Sequence, residues 1–324
     1  MNLDTLDLDT LNRILVVWRD STSAGESILV QGFDTRGGRT GPTVAASAVV
    51  AGGVSAPSLG SGFRGSQPVV AWSEKVGAGH RVFFRRFLID GSAEGPALPR
   101  PSLRLILGRN PAAAADSAGN VYLVWQDGRG GGQGQDIYGN WISARDTLGA
   151  SNIDSTLHGW MEDQKINLGG FGDQTDPALA VDRYGRVLVA WRDTLADSVG
   201  IYVRVFGEKG VEIQQTRLPS GDPRSIAALT GPVVATGGFD QYEPPFVVSW
   251  IETDTLGVKK LYLRKVVLDP FANPPSLIVD SAFAGMVRSR PGLAAGKPSV
   301  SGDEEGWVAL GWTEDDGSGA QIYG

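Results

Sequence analysis

Six short apolar runs each close on a tryptophan. They read I-L-V-V-W at 14–18, P-V-V-A-W at 68–72, V-Y-L-V-W at 121–125, V-L-V-A-W at 187–191, F-V-V-S-W at 246–250 and V-A-L-G-W at 308–312. They are short, β-branched and without polar alternation, which predicts strands covered on both faces. A second apolar pair follows each tryptophan after a polar, Gly-rich stretch. Its second member stands 11, 11, 13, 11, 12 and 11 residues beyond the tryptophan, at Leu29, Phe83, Tyr138, Tyr202, Tyr262 and Tyr323. So constant a spacing predicts one hairpin built six times.

Each tryptophan is also followed two residues later by an acid: Trp18/Asp20, Trp72/Glu74, Trp125/Asp127, Trp191/Asp193, Trp250/Glu252 and Trp312/Glu314. The intervals between tryptophans are 54, 53, 66, 59 and 62 residues, which is a repeat architecture. Nine residues before the tryptophan stands Asp9, Asp116, Asp182 or Asp303, with Asn12, Gly119, Gly185 or Gly306 three residues further on. Asp first and Gly fourth are the preferences of a type I turn, so a tight hairpin should join an earlier strand to the Trp strand. That earlier strand should open at Pro57, Pro111, Pro177, Pro232 or Pro298, because a first strand residue can lack its N–H. Further β-prone segments (V-A-A-S-A-V-V, L-R-L-I-L, Q-K-I-N-L, S-L-I-V-D) supply a fourth strand.

Four strands per unit in meander order are the blade of a propeller. The expected fold is therefore all-β: a single six-bladed β-propeller domain over 1–324, with four-stranded antiparallel blades at about 1–54, 55–108, 109–174, 175–229, 230–294 and 295–324. The sixth blade is expected to be incomplete, since the sequence reaches Gly324 just inside its third strand.

The pattern P-x4-D-x-x-G-x5-W-x-D…I-Y resembles the repeats of secreted bacterial six-bladed propeller proteins, loosely those of the sialidase-like or BNR-like group. The sialidase Asp-box S-x-D-x-G-x-T-W is not matched, because Asp116/Gly119 and Asp182/Gly185 are three apart rather than two. No arginine triad stands out. WD-repeat propellers have a shorter period of about 40–45 residues and a G-H signature, absent here. The resemblance implies a propeller at or beyond the cell surface.

Composition narrows the partners. The 324 residues carry a formal charge of −7, with no large Lys/Arg cluster, which argues against nucleic acid or an anionic membrane as partner. There is no cysteine, hence neither a disulfide framework nor a thiolate metal site. No apolar run reaches the ~18 residues of a membrane helix, and the acidic N-terminus lacks signal-peptide character. The expectation is an exported or cell-surface protein, a monomeric domain of a longer chain.

Candidate chemistry is sparse. The six Trp and their acids are expected to build the scaffold, with Trp wedged between blades and the acid capping the following loop. The Gly-rich acidic loops at 127–136 and 314–319 could hold Ca²⁺, although neither has a known Ca²⁺-binding spacing; no other cofactor and no metal site is expected. Residues that break the repeat are the binding candidates: Arg64, His80, Arg81, His158, Trp160, Glu162, Tyr242 and Glu243. No nucleophile elbow, phosphate loop or metalloprotease motif appears, so no catalytic residue is assigned. The leading expectation is a non-catalytic binding module for a glycan or protein ligand. Alternatives are a sialidase-like glycan hydrolase using non-repeated acids near the channel, or a structural spacer.

Overall fold

The computed structural model describes residues 5–8, 13–60, 67–100, 108–129, 134–144, 163–169, 172–194, 199–207, 212–220, 223–237, 246–269, 276–280, 286–290, 297–302, 308–315 and 320–323. Blade one contains β1 (Thr5–Leu8), β2 (Arg13–Thr22), β3 (Gly25–Asp34) and β4 (Val44–Ala45), and blade two β5 (Ser58–Gly60), β6 (Val69–Val76), β7 (Gly79–Phe87) and β8 (Ala93–Arg100). Blade three contains β9 (Arg109–Ala115), β10 (Val121–Asp127), β11 (Asp136–Ile142) and β12 (Gln164–Lys165). Blade four contains β13 (Gln174–Val181), β14 (Val187–Asp193), β15 (Gly200–Phe206) and β16 (Glu212–Arg217). The chain is an all-β six-bladed propeller, one antiparallel sheet for each of the six repeat tryptophans.

Blades five and six depart from the four-stranded expectation. Blade five holds six strands: β17 (Ile226–Leu229), β18 (Val233–Thr236), β19 (Phe246–Asp254), β20 (Lys259–Asp269), β21 (Ser276–Asp280) and β22 (Met286–Arg290). β17 and β18 both pair with β19, and β21 and β22 both pair with β20. Thus its inner and outer positions are each split in two. The inner split falls at Thr230–Gly231–Pro232, where proline has no N–H to give the ladder. Blade six has three strands among the described residues, β23 (Ser299–Gly302), β24 (Val308–Asp315) and β25 (Ala320–Tyr323).

The near-constant Trp-to-aromatic spacing has a direct cause. Trp72, Trp125, Trp191, Trp250 and Trp312 face Phe83, Tyr138, Tyr202, Tyr262 and Tyr323 across the hairpin, and Trp18 faces Leu29. Four of these pairs stack with ring centroids 5.3–6.3 Å apart, worth about 0.5–1.5 kcal/mol each beyond area burial. The Trp strands of blades two to five are continuously buried up to the tryptophan. In blade one the strand alternates instead, and in blade six it is more exposed.

The Asp-x-x-Gly turn forms where it is described. In blade three the Gly119 N–H donates to the Asp116 carbonyl at 2.9 Å and the Asn120 N–H to Asp116 Oδ1 at 2.9 Å. Gly119 has φ +82°, a conformation that favours glycine. The turns at Asp9 and Asp303 lie outside the described residues. The prolines are placed differently from expectation in two blades. Pro111 and Pro177 lie within β9 and β13, at register shifts between Val124 and Gln126 and between Thr175 and Ala178. The strand starts before the proline and bulges at it.

By compactness the chain divides into one unit of Met1–Ile166 with Arg183–Gly185, and another of Asn167–Asp182 with Arg186–Gly324. In the first, Trp72 packs with Leu15, Val17, Ile28 and Val30 of blade one, and Trp125 with Val69, Ala71, Val82 and Phe84 of blade two. In the second, Trp250 packs with Leu188, Ala190, Ile201 and Val203 of blade four, and Trp312 against Ile251 and Leu261 of blade five. Each of these tryptophans thus seals its blade against the preceding one.

Candidate functional site

The bulges at the prolines distort the backbone of the residues that precede them. Asn110 and Asp176 are the only described non-glycine residues at positive φ, +47° and +53°. A following proline disfavours helical backbone at these positions, so surrounding contacts must hold Asp176 in place. Arg192 supplies them. Its guanidinium donates from Nε to Thr175 Oγ1, from Nη1 to the Leu229 carbonyl, each at 3.0 Å, and ion-pairs through Nη2 with Asp176 Oδ2 at 3.0 Å. One arginine thereby ties the bulge of blade four to the split inner strand of blade five. Backbone strain held by surrounding structure in this way concentrates at functional sites.

The residues before the next two repeat prolines, Pro232 and Pro298, are Gly231 and Lys297. A Cβ at Gly231 would lie 2.5 Å from Asp176 Cβ, 2.7 Å from Lys297 Cε and 2.8 Å from Lys297 Nζ. Its φ is not in the left-handed region, so the glycine is required for space rather than for conformation. Asp176 and Lys297 close over it from blades four and six. Lys297 is exposed as a residue, but its ammonium end turns in over Gly231, and no hydrogen bond or ion pair engages it among the described residues. Burial pushes its pKa below the ordinary lysine value; Asp176 opposes that shift and Arg192 adds to it.

Beside these groups lies a pocket of about 270 Å³, lined by Arg192, Leu229, Thr230, Gly231, Thr253 and Lys297 together with Ala228. None of its described lining residues is an acid; Asp176 adjoins two of them, Arg192 and Gly231. The Thr230 hydroxyl already accepts from the Ile251 N–H at 3.0 Å and keeps its own proton to donate. The arrangement offers one carboxylate, one ammonium, a guanidinium and two hydroxyls, suited to a small polar ligand.

The repeat is altered in the blade that supplies Arg192. The indole Nε1 donates to the acid two residues on at 2.7 Å in Trp72/Glu74, 3.1 Å in Trp125/Asp127, 3.0 Å in Trp250/Glu252 and 2.8 Å in Trp312/Glu314. Alternate strand residues share a face, which is why the spacing is two. Trp191 Nε1 is buried with no hydrogen-bond partner among the described residues, and the Asp193 carboxylate accepts from Gln174 Nε2 at 3.3 Å. In four blades, then, the acid serves the indole first. Asp127 in addition caps its loop, accepting the Arg129 N–H at 2.9 Å.

Asp20 and Glu314 correct the expectation that each acid caps the loop after it. Asp20 lies inside β2, opposite Ser27, and the ladder runs on through Ser21 and Thr22 before the chain turns. Its carboxylate takes neither the Trp18 indole nor a loop N–H among the described residues. The turn is capped by Thr22 instead, whose Oγ1 accepts the Ala24 N–H at 3.3 Å, because the acid stands two residues short of the strand end. Glu314, expected to open the acidic loop at 314–319, lies inside β24 opposite Gln321 and is 3% exposed. Its Oε1 is taken by the Trp312 indole, since both side chains stand on one face of the strand. That loop therefore loses its leading carboxylate as a Ca²⁺ ligand.

Of the candidates read from sequence, Arg64, His158, Trp160, Glu162, Tyr242 and Glu243 lie outside the described residues. His80 and Arg81 stand at the start of β7 in blade two. Among the described residues no group of three or more His, Cys, Asp or Glu side chains comes together. Asp127 and Asp136, which flank the first Gly-rich loop, are taken by Arg129 and Lys165 at 2.7 and 2.8 Å. Sequence reasoning missed Arg192, Gly231 and Lys297. The signal was the variable residue before each repeat proline: Ala56, Asn110, Asp176, Gly231, Lys297.

No protein-family model matches the chain, and no curated protein matches it. Solved structures do. A protein of unknown function from Dyadobacter fermentans DSM 18053 is similar at TM-score 0.56 and 10% identity, over 98% of this chain and 92% of that one. The phage phi92 endosialidase is similar at TM-score 0.50 and 8% identity, over 98% of this chain and 63% of that one. The Hadza microbial sialidase Hz136 follows at TM-score 0.47 and 11% identity, over 96% and 63%. At such identities the likeness establishes the propeller fold alone.

Proposed function

We propose that the chain is a ligand-binding propeller module, and that its ligand is a glycan seated in the pocket at Asp176, Gly231 and Lys297. The observation that carries this reading is the meeting of Asp176 and Lys297 over a glycine that leaves them room. Sugar hydroxyls both donate and accept. The Asp176 carboxylate would accept from one, while the unengaged Lys297 ammonium and the Thr230 and Thr253 hydroxyls would donate to others. The pocket's size suits one or two sugar rings, and a protein exported to the cell surface is where such a module would serve. The test is a glycan array probed with the purified protein and with Lys297→Ala and Asp176→Asn. Binding that both substitutions weaken at least tenfold supports the reading, and an array on which the unaltered protein binds nothing sinks it.

A glycan hydrolase is the second reading, favoured by the strained backbone that presents Asp176. Hydrolysis at a glycosidic bond ordinarily takes two carboxyl groups, and Asp176 is one carboxylate, standing beside the pocket behind Arg192 and Gly231. Mass spectrometry of a mixed glycan pool before and after incubation separates the two. New products that Asp176→Asn abolishes would replace the binding module by an enzyme.

A further inference from the structure

The charges around the pocket at Gly231 do not balance. Arg192 and Lys297 line it, and Asp176 beside it pairs with Arg192 at 3.0 Å. Two cations against one carboxylate leave one positive charge over, on a chain whose formal charge is −7. The acids adjacent to the lining in sequence are committed elsewhere. Asp193, next to Arg192, accepts from Gln174 Nε2 at 3.3 Å. Glu252 and Asp254 flank Thr253; the first accepts from the Trp250 indole at 3.0 Å, and the second pairs with Lys260 at 3.4 Å.

Hydrogen-bonding capacity is uneven in the same sense. Arg192 Nε, Nη1 and Nη2 each have a protein partner at 3.0 Å, which fixes the guanidinium as part of the wall. The Leu229 carbonyl already accepts from Arg192, and the Thr230 hydroxyl from the Ile251 N–H. What remains on offer is chiefly donors, the Thr230 O–H and Lys297 Nζ, and no described residue engages that ammonium.

We propose that the pocket selects an acidic sugar carrying a single negative charge, a hexuronate carboxylate or a sulfate half-ester, with Lys297 Nζ meeting that charge. This rests on the glycan reading and adds the charge of the ligand. Both anionic groups accept hydrogen bonds without donating any, as a donor-rich wall requires. A charge-assisted bond from an ammonium is roughly twice as strong as a neutral one. A phosphate monoester, with about 1.5–2 negative charges at neutral pH, exceeds the one charge left over. Burial lowers the Lys297 pKa, Asp176 opposing that shift and Arg192 adding to it, and an anion beside the ammonium offsets the cost of keeping it charged.

The experiment is an array of uronate-bearing, sulfated and neutral glycans on shared backbones, probed with the full chain before and after amidation of the array's carboxyl groups. Amidation neutralises uronates and leaves sulfates charged. The expected result is binding to charged members about tenfold tighter than to their neutral counterparts. Loss of that preference on amidation assigns it to the carboxylate, and its persistence to the sulfate ester. Lys297→Met, at a residue exposed overall, should bring the charged members down to the neutral level, whereas Lys297→Arg should keep the preference. Equal binding of charged and neutral members overturns this inference and leaves the glycan reading standing, while an array bound nowhere overturns both. A Lys297→Met protein that keeps the full preference also overturns it, because the charge is then recognised away from this pocket.

Discussion

Trp250 and Glu252 are joined by a hydrogen bond of 3.0 Å from indole to carboxylate, with Glu252 3% exposed. Trp191 holds the same place in blade four yet gives its indole N–H to nothing among the described residues. The difference tracks Gln174, which draws Asp193 away in the blade whose Arg192 is committed to Asp176. One sequence pattern thus has two structural outcomes, and of the two blades without the indole bond, one and four, blade four lies beside the candidate site.

Replacing the indole by a phenyl ring tests what that bond is worth. Both Trp191→Phe and Trp250→Phe lose ring volume in a buried setting, but only the second removes a donor from a buried carboxylate. Trp250→Phe should therefore cost more stability than Trp191→Phe, by roughly 1.5–3 kcal/mol for a hydrogen bond to a charged group. Urea denaturation of the two variants checks it; equal losses would mean the indole bond contributes nothing.

The scaffold was legible because its determinants are local and repeated. The Trp strand, the aromatic opposite it and the Asp-x-x-Gly turn recur at fixed offsets, so each copy corroborates the rest. The acid's partner was not legible: an acid two residues after a tryptophan reads equally as a loop cap. Only the length of the hairpin decides, and it carries Asp20 and Glu314 inside their strands rather than to the loop. The split strands of blade five were hidden because Pro232 looks like any other strand start. The site escaped for a different reason. Asp176, Gly231 and Lys297 come from three blades, 55 and 66 residues apart, and their meeting depends on tertiary placement that no local pattern encodes.

The turn used by the repeat also closes another hairpin that the repeat frame does not mark. In blade five the Gly257 N–H donates to the Asp254 carbonyl and the Val258 N–H to Asp254 Oδ1, both at 2.9 Å, with Gly257 at φ +79°. Nothing lies within 4 Å of the place a Cβ would take. Gly257→Ala should cost only the left-handed backbone penalty of about 1–2 kcal/mol, and Gly257→Asn less, since asparagine tolerates that conformation. Thermal melts of the pair should rank the wild type first, Asn second and Ala last.

Gly231 is the opposite case, with open backbone and no room. Gly231→Ala forces Asp176 and Lys297 to shift, at about 1–3 kcal/mol for overpacking. Lys297→Ala removes the flexible half of the clash and leaves Asp176 Cβ in place. The double variant should accordingly be less destabilised than the two single losses added together. Additive losses in urea would show that Lys297 does not share the space above Gly231.

Glu74 gives the pH dependence its sign. Burial raises its pKa above the ordinary glutamate value, and the Trp72 indole bond opposes that rise without cancelling it. The native state therefore holds the proton more tightly than the unfolded chain. The contribution of this group is fully present below the unfolded pKa and is lost as pH rises through the folded one. Glu74→Gln keeps an amide oxygen for Trp72 Nε1 while removing the buried charge. At neutral pH it should melt at the same temperature as the wild type or higher, and its advantage should shrink as pH falls toward the glutamate range. A variant that melts lower at neutral pH, with a deficit that disappears on acidification, would mean the carboxylate's bond to the indole outweighs the cost of burying it.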